Sequence, residues 1–296
     1  MQSSTSLSEK ICIVTGANAG IGKATALSLA RMGLTVVMVC RDPSRGKSSQ
    51  EEVIAKSGNS AVDLMLTDLS SQQSIRHFVE AFKVKYQRLH ILINNAANFD
   101  LSLKEPTLTE EGVELIFATN HLGPFLMTNL LLDILKTSTP ARILNVASKG
   151  LVAHPRLAIE FDDLNQTKRK RYSPSHAYYH SKLAQVMFTY TLAQKLQGTG
   201  VTANCIRVPA VAVDIGRLGN VPRILLSLYR LKMRFSITPE DMSKTYTYLA
   251  TAPELEGISG KQFDEHHNEV DSSKPSRDEV AQQRLWQVSA QLTGLM

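Results

Sequence analysis

The chain reads as an α/β protein, a doubly wound sheet of about seven parallel strands with helices on both faces. Three observations predict this. Short, continuously apolar runs rich in β-branched residues recur along the chain; helical stretches separate them; and the first run ends in a glycine-rich turn that opens the first helix. Strands apolar on both sides belong to a parallel sheet buried between helix layers, and right-handed crossovers wind it in two directions.

The elements follow in order. KICIVTG (10–16) is the first strand, and IGKATALSLARMG the first helix. LTVVMVC (34–40) is strand-like, DPSRGKSSQEEVIAKSG helical, and AVDLMLTDL a third strand. SSQQSIRHFVEAFKVKY is an amphipathic helix opened by serine caps. LHILINNAA is a fourth strand, followed by a helical region around 109–137; ARILNVAS (141–148) and VTANCIRV (201–208) are the fifth and sixth strands. LAQVMFTYTLAQKL, after residue 182, reads as a further helix. The sequence carries no internal repeat and no low-complexity linker, so residues 10–296 are expected to form one domain after a flexible stretch over 1–9.

Composition bounds the function. Of 296 residues, 43% are hydrophobic, enough for a sizeable core. No apolar run approaches a membrane-spanning length, and MQSSTSLSEK lacks a signal-peptide core. Cys12, Cys40 and Cys205 stand far apart in apolar runs, as buried strand thiols rather than a disulfide or metal set. A soluble, cytoplasmic protein is expected. The net charge of +6 owes part to Lys168-Arg169-Lys170-Arg171; no nucleic-acid motif accompanies that run, and it reads as a solvated loop.

Gly16-Ala17-Asn18-Ala19-Gly20-Ile21-Gly22 spells G-x-x-x-G-x-G between the first strand and the first helix. A pyrophosphate approaching backbone N–H groups at a helix N-terminus leaves no room for a Cβ, so the turn predicts dinucleotide binding on a Rossmann-type sheet. The end of the second strand selects the cofactor. An acidic residue there would hold the ribose 2′-OH of NAD, whereas arginine suits the 2′-phosphate of NADP. Cys40 ends this strand, Arg41 follows, and Asp42 comes one position later, free to point away; Lys23 offers a second charge. NADP(H) is expected over NAD(H).

In Ala177-Tyr178-Tyr179-His180-Ser181-Lys182 two tyrosines precede a lysine, at four and three positions. On a helix both pairs share a face, and spacing alone does not choose between them.

Taken in order, TGANAGIG (15–22), TDL (67–69), NNAA (94–97), Asn120 in ATNHLGPF, and Ser148 with Tyr178-x-x-x-Lys182 form a pattern that resembles the short-chain dehydrogenase/reductase family over nearly the whole chain. NHLGPF and YHSKLA are most similar to its retinol dehydrogenase-like branch, which often acts on retinoids, steroids and other apolar carbonyl compounds. The resemblance implies that Tyr178 is the general acid/base and that Lys182 lowers its pKa and holds the nicotinamide ribose. It implies that Ser148 polarises the substrate oxygen and that Asn120 anchors a water relaying protons from Lys182. Asp68 would bond the adenine amino group. Further cofactor contacts fall to Asn18, Ile21, Leu69, Asn95, Ala96, Pro209 and Val211. Tyr179 is read as packing or substrate wall, and His154, His176 and His180 as surface or wall residues. Dimerisation through helices near 109–137 and 175–197, as in relatives, is likewise implied.

The chain departs from the family pattern in three places. NNAA stands for NNAG, and Pro209-Ala210-Val211-Ala212-Val213-Asp214 lacks the usual glycine and hydroxyl after the sixth strand. The apolar N-terminal anchor of many eukaryotic retinol dehydrogenases is not found in the residues that open this sequence, and no anchoring there is expected. Within a substrate-lid region near 210–240, VPRILLSLYRLKMRFS (221–236) reads as a lid over an apolar pocket, a membrane-surface helix or a core helix. The expected activity is interconversion of an apolar alcohol and its carbonyl compound. The alternative is a non-catalytic NADP(H)-binding sensor or interaction protein on the same fold.

Overall fold

A computed structural model describes residues 6–100, 102–211 and 236–296. Its sheet comprises β1 (Ile11–Thr15), β2 (Thr35–Cys40), β3 (Val62–Leu66), β4 (Ile91–Asn94), β5 (Ala141–Ser148), β6 (Val201–Val208) and β7 (Gln262–Phe263). The strands lie in the order β3-β2-β1-β4-β5-β6-β7, and every pairing is parallel. The chain therefore winds outward one way from β1 and the other way from β4. In such a sheet the crevice at the carboxyl ends of these two strands is where ligands bind.

Helices cover both faces. α1 (Gly20–Arg31) and α2 (Pro43–Ser57) lie on one side with α8 (Pro239–Thr251), and their core joins Leu29, Val36, Ile93, Met242 and Tyr246. On the other side lie α3 (Gln72–Lys85), α5 (Gly123–Leu130), α6 (Leu132–Thr137), α7 (Pro174–Lys195) and α9 (Glu279–Leu292), packed around Phe78, Phe82, Phe125 and Phe188. The three cysteines are buried, unpaired strand thiols, as expected. Caps follow the sequence: Ser71 opens α3 by accepting from the Ser74 amide, and Asp42 opens α2 by accepting from Arg45.

Several boundaries differ from expectation. The third strand stops at Leu66, and the fourth at Asn94. The helical region expected from 109 starts only at α4 (Leu115–Phe117), where the buried Glu114 carboxylate accepts from the amides of Ile116 and Phe117 at 2.9 and 2.8 Å. One π-helical turn, Ala118–Leu122, then precedes α5. At the N-terminus, Leu7–Glu9 form a 3-10 turn, and Leu7 packs on the core. Lys168–Arg171 are exposed, with Arg169 paired to Glu160 at 2.9 Å.

Part of the helix surface near the expected dimer face packs within the chain. α9 lies across α5 and α7, with the Trp286 ring 5.0 Å from Phe125 and 5.9 Å from Phe188 between centroids. Residues 212–235, which hold most of the lid region together with Ala212, Val213 and Asp214, lie outside the described residues. The flanks of that stretch are joined, Val211 pairing with Ile237 in a parallel bridge. Among the described residues no helix is long and apolar enough to cross a membrane.

Candidate active site

The glycine turn sits at the end of β1. Gly16 and Gly20 adopt φ of +67° and +53°, a region that side-chain-bearing residues rarely enter. A Cβ on Gly22 would lie 2.5 Å from the Gly16 carbonyl oxygen, so the turn closes only with glycine there. No side chain caps α1, whose N-cap is Ala19, and its first turn holds no acidic residue. Amides without side-chain partners at the positive end of a helix dipole, beside an open backbone, fit a dinucleotide pyrophosphate. Thr15, which sequence reasoning missed, stitches this turn to β4. Its hydroxyl donates to the Ile93 carbonyl and accepts from the amides of Asn95 and Ala96, both at 3.0 Å, while Asn95 Nδ2 donates to the Thr15 carbonyl. Its place just before Gly16 was the available signal.

At the end of β2, Arg41 is largely exposed and lies 3.5 Å from the Asp68 carboxylate. Asp42 is committed elsewhere, its carboxylate capping α2 at 2.9 Å. Lys23 turns toward α2 and pairs with Glu52 at 2.7 Å, a site shared with Lys56, so its charge is already partnered. Asp68 also accepts from the Ser70 amide and hydroxyl. Buried Leu69 follows, its carbonyl packed so tightly on α5 that a Cβ on Gly123 would come within 2.3 Å of it.

Ser148, Tyr178 and Lys182 converge at the carboxyl end of β5. Ser148 ends the strand and accepts from the Gly150 amide at 3.1 Å. α7 enters on a Pro174 first turn capped by Ser173. Four-residue spacing then stacks Lys182 one turn beyond Tyr178, its ammonium 5.6 Å from the tyrosine ring centroid. Lys182 is 2% exposed and donates to the Val146 carbonyl at 2.8 Å; burial lowers its pKa to about 8. The Tyr178 pKa departs from expectation, pushed up to about 12 by burial, with a smaller opposing pull from Ser148. The expected lowering is not seen: desolvation of the phenolate is the largest influence, and the Lys182 ammonium lies 5.6 Å from the ring centroid.

Asn120 sits in the π turn, fully buried. Its Oδ1 accepts from the Asn98 amide at 2.6 Å, and its Nδ2 donates to the Asn98 carbonyl at 2.9 Å and to Ser181 Oγ at 3.0 Å. Its own carbonyl accepts from Gln185 Nε2 at 2.6 Å. Tyr179 packs over Gly150, where an added Cβ would meet its ring at 2.5 Å, and meets the exposed His154 ring in tilted contact, 4.4 Å between centroids. It thus buttresses the turn after Ser148. His180 is not a surface or wall residue: it points inward on α7, 1% exposed, accepts from the Glu160 amide at 2.8 Å, and is kept neutral by burial, with its pKa lowered to about 4. Pro209 and Val211 follow β6, and the Ala210 carbonyl accepts from Ile237.

A short chain dehydrogenase family model matches residues 10–158, which hold the glycine turn, Asn120 and Ser148. The chain belongs to the short-chain dehydrogenase family. Its relatives include mouse retinol dehydrogenase 12, 42% identical over 97% of this chain and 87% of that protein. Human retinol dehydrogenase 13 is also 42% identical, over 97% and 85%. Among solved structures, an uncharacterised protein of Mycobacterium paratuberculosis superposes with a TM-score of 0.73 at 29% identity, covering 98% of this chain and 95% of that one. A short chain dehydrogenase of Shigella flexneri, solved in complex with NADP, gives a TM-score of 0.65 at 20% identity over 87% and 97%. The chain is accordingly a short-chain dehydrogenase oxidoreductase on a fold that binds NAD(P), and the turn that closes only with glycine fits that group.

Proposed function

We propose that this enzyme uses NADP(H) to interconvert an apolar alcohol and its aldehyde or ketone, with Tyr178 as the general acid and base. The observation that carries the reading is the convergence of the Ser148 and Tyr178 hydroxyls at one sheet edge above the buried ammonium of Lys182. When bound, the reduced nicotinamide supplies a hydride to the carbonyl carbon. Ser148 donates a hydrogen bond to the substrate oxygen and fixes it beside Tyr178. As the carbon–oxygen π pair moves onto that oxygen, the Tyr178 proton follows it, completing the alcohol. A phenol held protonated, as burial holds this one, is the form that reduction requires. Lys182 balances the phenolate left behind and passes a proton back toward it. The reverse sequence oxidises the alcohol.

NADP(H) is favoured by the commitment of Asp42 to the α2 cap and by Arg41, which is largely exposed and, although 3.5 Å from Asp68, can turn its guanidinium to a 2′-phosphate. The NADP held by the Shigella flexneri neighbour accords with this. Apolar substrates are suggested by the retinol dehydrogenases to which the chain is similar. Calorimetry with NADPH and NADH tests the cofactor choice. NADPH is expected to bind at least tenfold more tightly, and Arg41→Ala to remove most of that margin, as loss of a phosphate-pairing arginine should. Equal affinities in the wild type would overturn the choice. A panel of aldehydes and ketones of increasing chain length tests the substrate class, longer members being the better substrates.

A further inference from the structure

Phe99 has no role in the steps above, yet its ring lies against the residue that performs them. It is 50% exposed, in the loop after β4, with its centroid 4.2 Å from that of Tyr178 and its plane tilted by 49°. A single exposed phenylalanine is ordinary on a protein surface. This one is held in place. The preceding residue, Asn98, is gripped at both its amide and its carbonyl by the fully buried Asn120 side chain, at 2.6 and 2.9 Å. On the other side, the Asp100 amide donates to Asn98 Oδ1 at 3.1 Å. Asn120 in turn donates to Ser181 on α7, the helix that carries Tyr178. The loop and the phenol are thus registered against one another through buried hydrogen bonds, and Phe99 stays half exposed beside the Tyr178 ring.

Resting on the reading of Tyr178 as proton donor, the geometry points to Phe99 as the residue that selects substrates, its ring forming a wall for a flat, conjugated group on the carbonyl carbon. A carbonyl oxygen within hydrogen-bond reach of Tyr178 and Ser148 brings its substituent alongside the Tyr178 ring, where Phe99 waits. Aromatic faces prefer flat π partners in tilted or offset contact, an advantage beyond the area covered. A saturated chain of equal length gains the area without the face. Asn120 is the positioning residue for this wall.

The test compares trans-cinnamaldehyde with 3-phenylpropanal, which share a skeleton and differ by the double bond that keeps the aldehyde in plane. Their unreactive amides, trans-cinnamamide and 3-phenylpropanamide, are titrated by calorimetry into the full-length enzyme, with and without NADP. Phe99→Leu is expected to lower the planar-over-saturated ratio of kcat/KM by roughly three- to tenfold, and the ratio of amide affinities by a similar factor. Phe99→Tyr keeps the face and should keep both ratios. Ratios unchanged within twofold in Phe99→Leu overturn the proposal, as does a wild type that binds cinnamamide no better than its saturated partner. The same holds if Phe99→Tyr loses as much as Phe99→Leu. Should neither aldehyde turn over with either cofactor, the proton-donor reading fails and the amide ratios alone decide the role of Phe99.

Discussion

Lys182 concentrates the electrostatic cost of the site in one side chain. Its ammonium is buried, and its pKa falls from 10.5 to about 8. Below about pH 8 both folded and unfolded chains hold the proton, and the full desolvation penalty of about 3 kcal/mol opposes folding. As pH rises from about 8 toward 10.5 the unfolded chain binds more protons than the folded one, so stability rises and the penalty fades. Lys182→Met, an uncharged side chain of similar length, should therefore be more stable than wild type at pH 7 by about 1–3 kcal/mol, even while activity is lost. Denaturant titrations at pH 7 and 10 check this, and the difference between the two proteins should shrink at the higher pH. A lysine that destabilises its own fold is what a functional position looks like. At this scale much of the candidate site was legible: Ser148, Tyr178 and Lys182 were nameable because the order of short motifs resembles a family pattern, which alone chose Tyr178 over Tyr179. Phe99 was not, since its relation to Tyr178 depends on Asn98 and Asn120, which are neighbours only in the folded chain.

Among the elements, the glycine turn is the most constrained. A methyl group added at Gly22 would meet the Gly16 carbonyl oxygen at 2.5 Å and Asn95 Nδ2 at 2.6 Å, so Gly22→Ala must push β1, α1 or the loop after β4 apart. We expect a stability loss of about 1–3 kcal/mol and a dinucleotide affinity weakened at least tenfold, measured by thermal unfolding and calorimetry. An unchanged affinity would mean that the turn does not cradle the cofactor. The strands were readable because each is an unbroken apolar run, a pattern that survives any error in its ends. The region 109–137 was not, because propensity predicts one helix there. The buried Glu114 cap fixes its true start, and in its π turn Asn120 faces partners on β4's loop and on α7. Those contacts are long-range, and local periodicity carries no trace of them.

For the whole molecule, α9 decides what the outer face of α5 and α7 can do. Trp286 packs on Phe125 and Phe188, and Lys195 lies 4.7 Å over the indole, so part of the α5 and α7 surface is covered from within the chain. Light scattering at micromolar concentration should return the monomer mass of 32.7 kDa; twice that mass would show that another surface pairs. The fold and the reaction class were legible at this scale because the motifs occur in one order along one sheet. The packing of α9 on α5 and α7 was not, its residues being unremarkable in sequence. The proposed chemistry is hydride exchange between NADP(H) and a carbonyl at Ser148, Tyr178 and Lys182. It is tested most directly by incubating the enzyme with NADPH deuterated at the transferable position and a long-chain aldehyde, then weighing the alcohol by mass spectrometry. The wild type should place one deuterium in the product, and Tyr178→Phe should yield at least about 100-fold less product, with NADPH affinity within about twofold. A wild type that binds NADPH yet transfers no deuterium, or a Tyr178→Phe variant that transfers it at the wild-type rate, would contradict the claim.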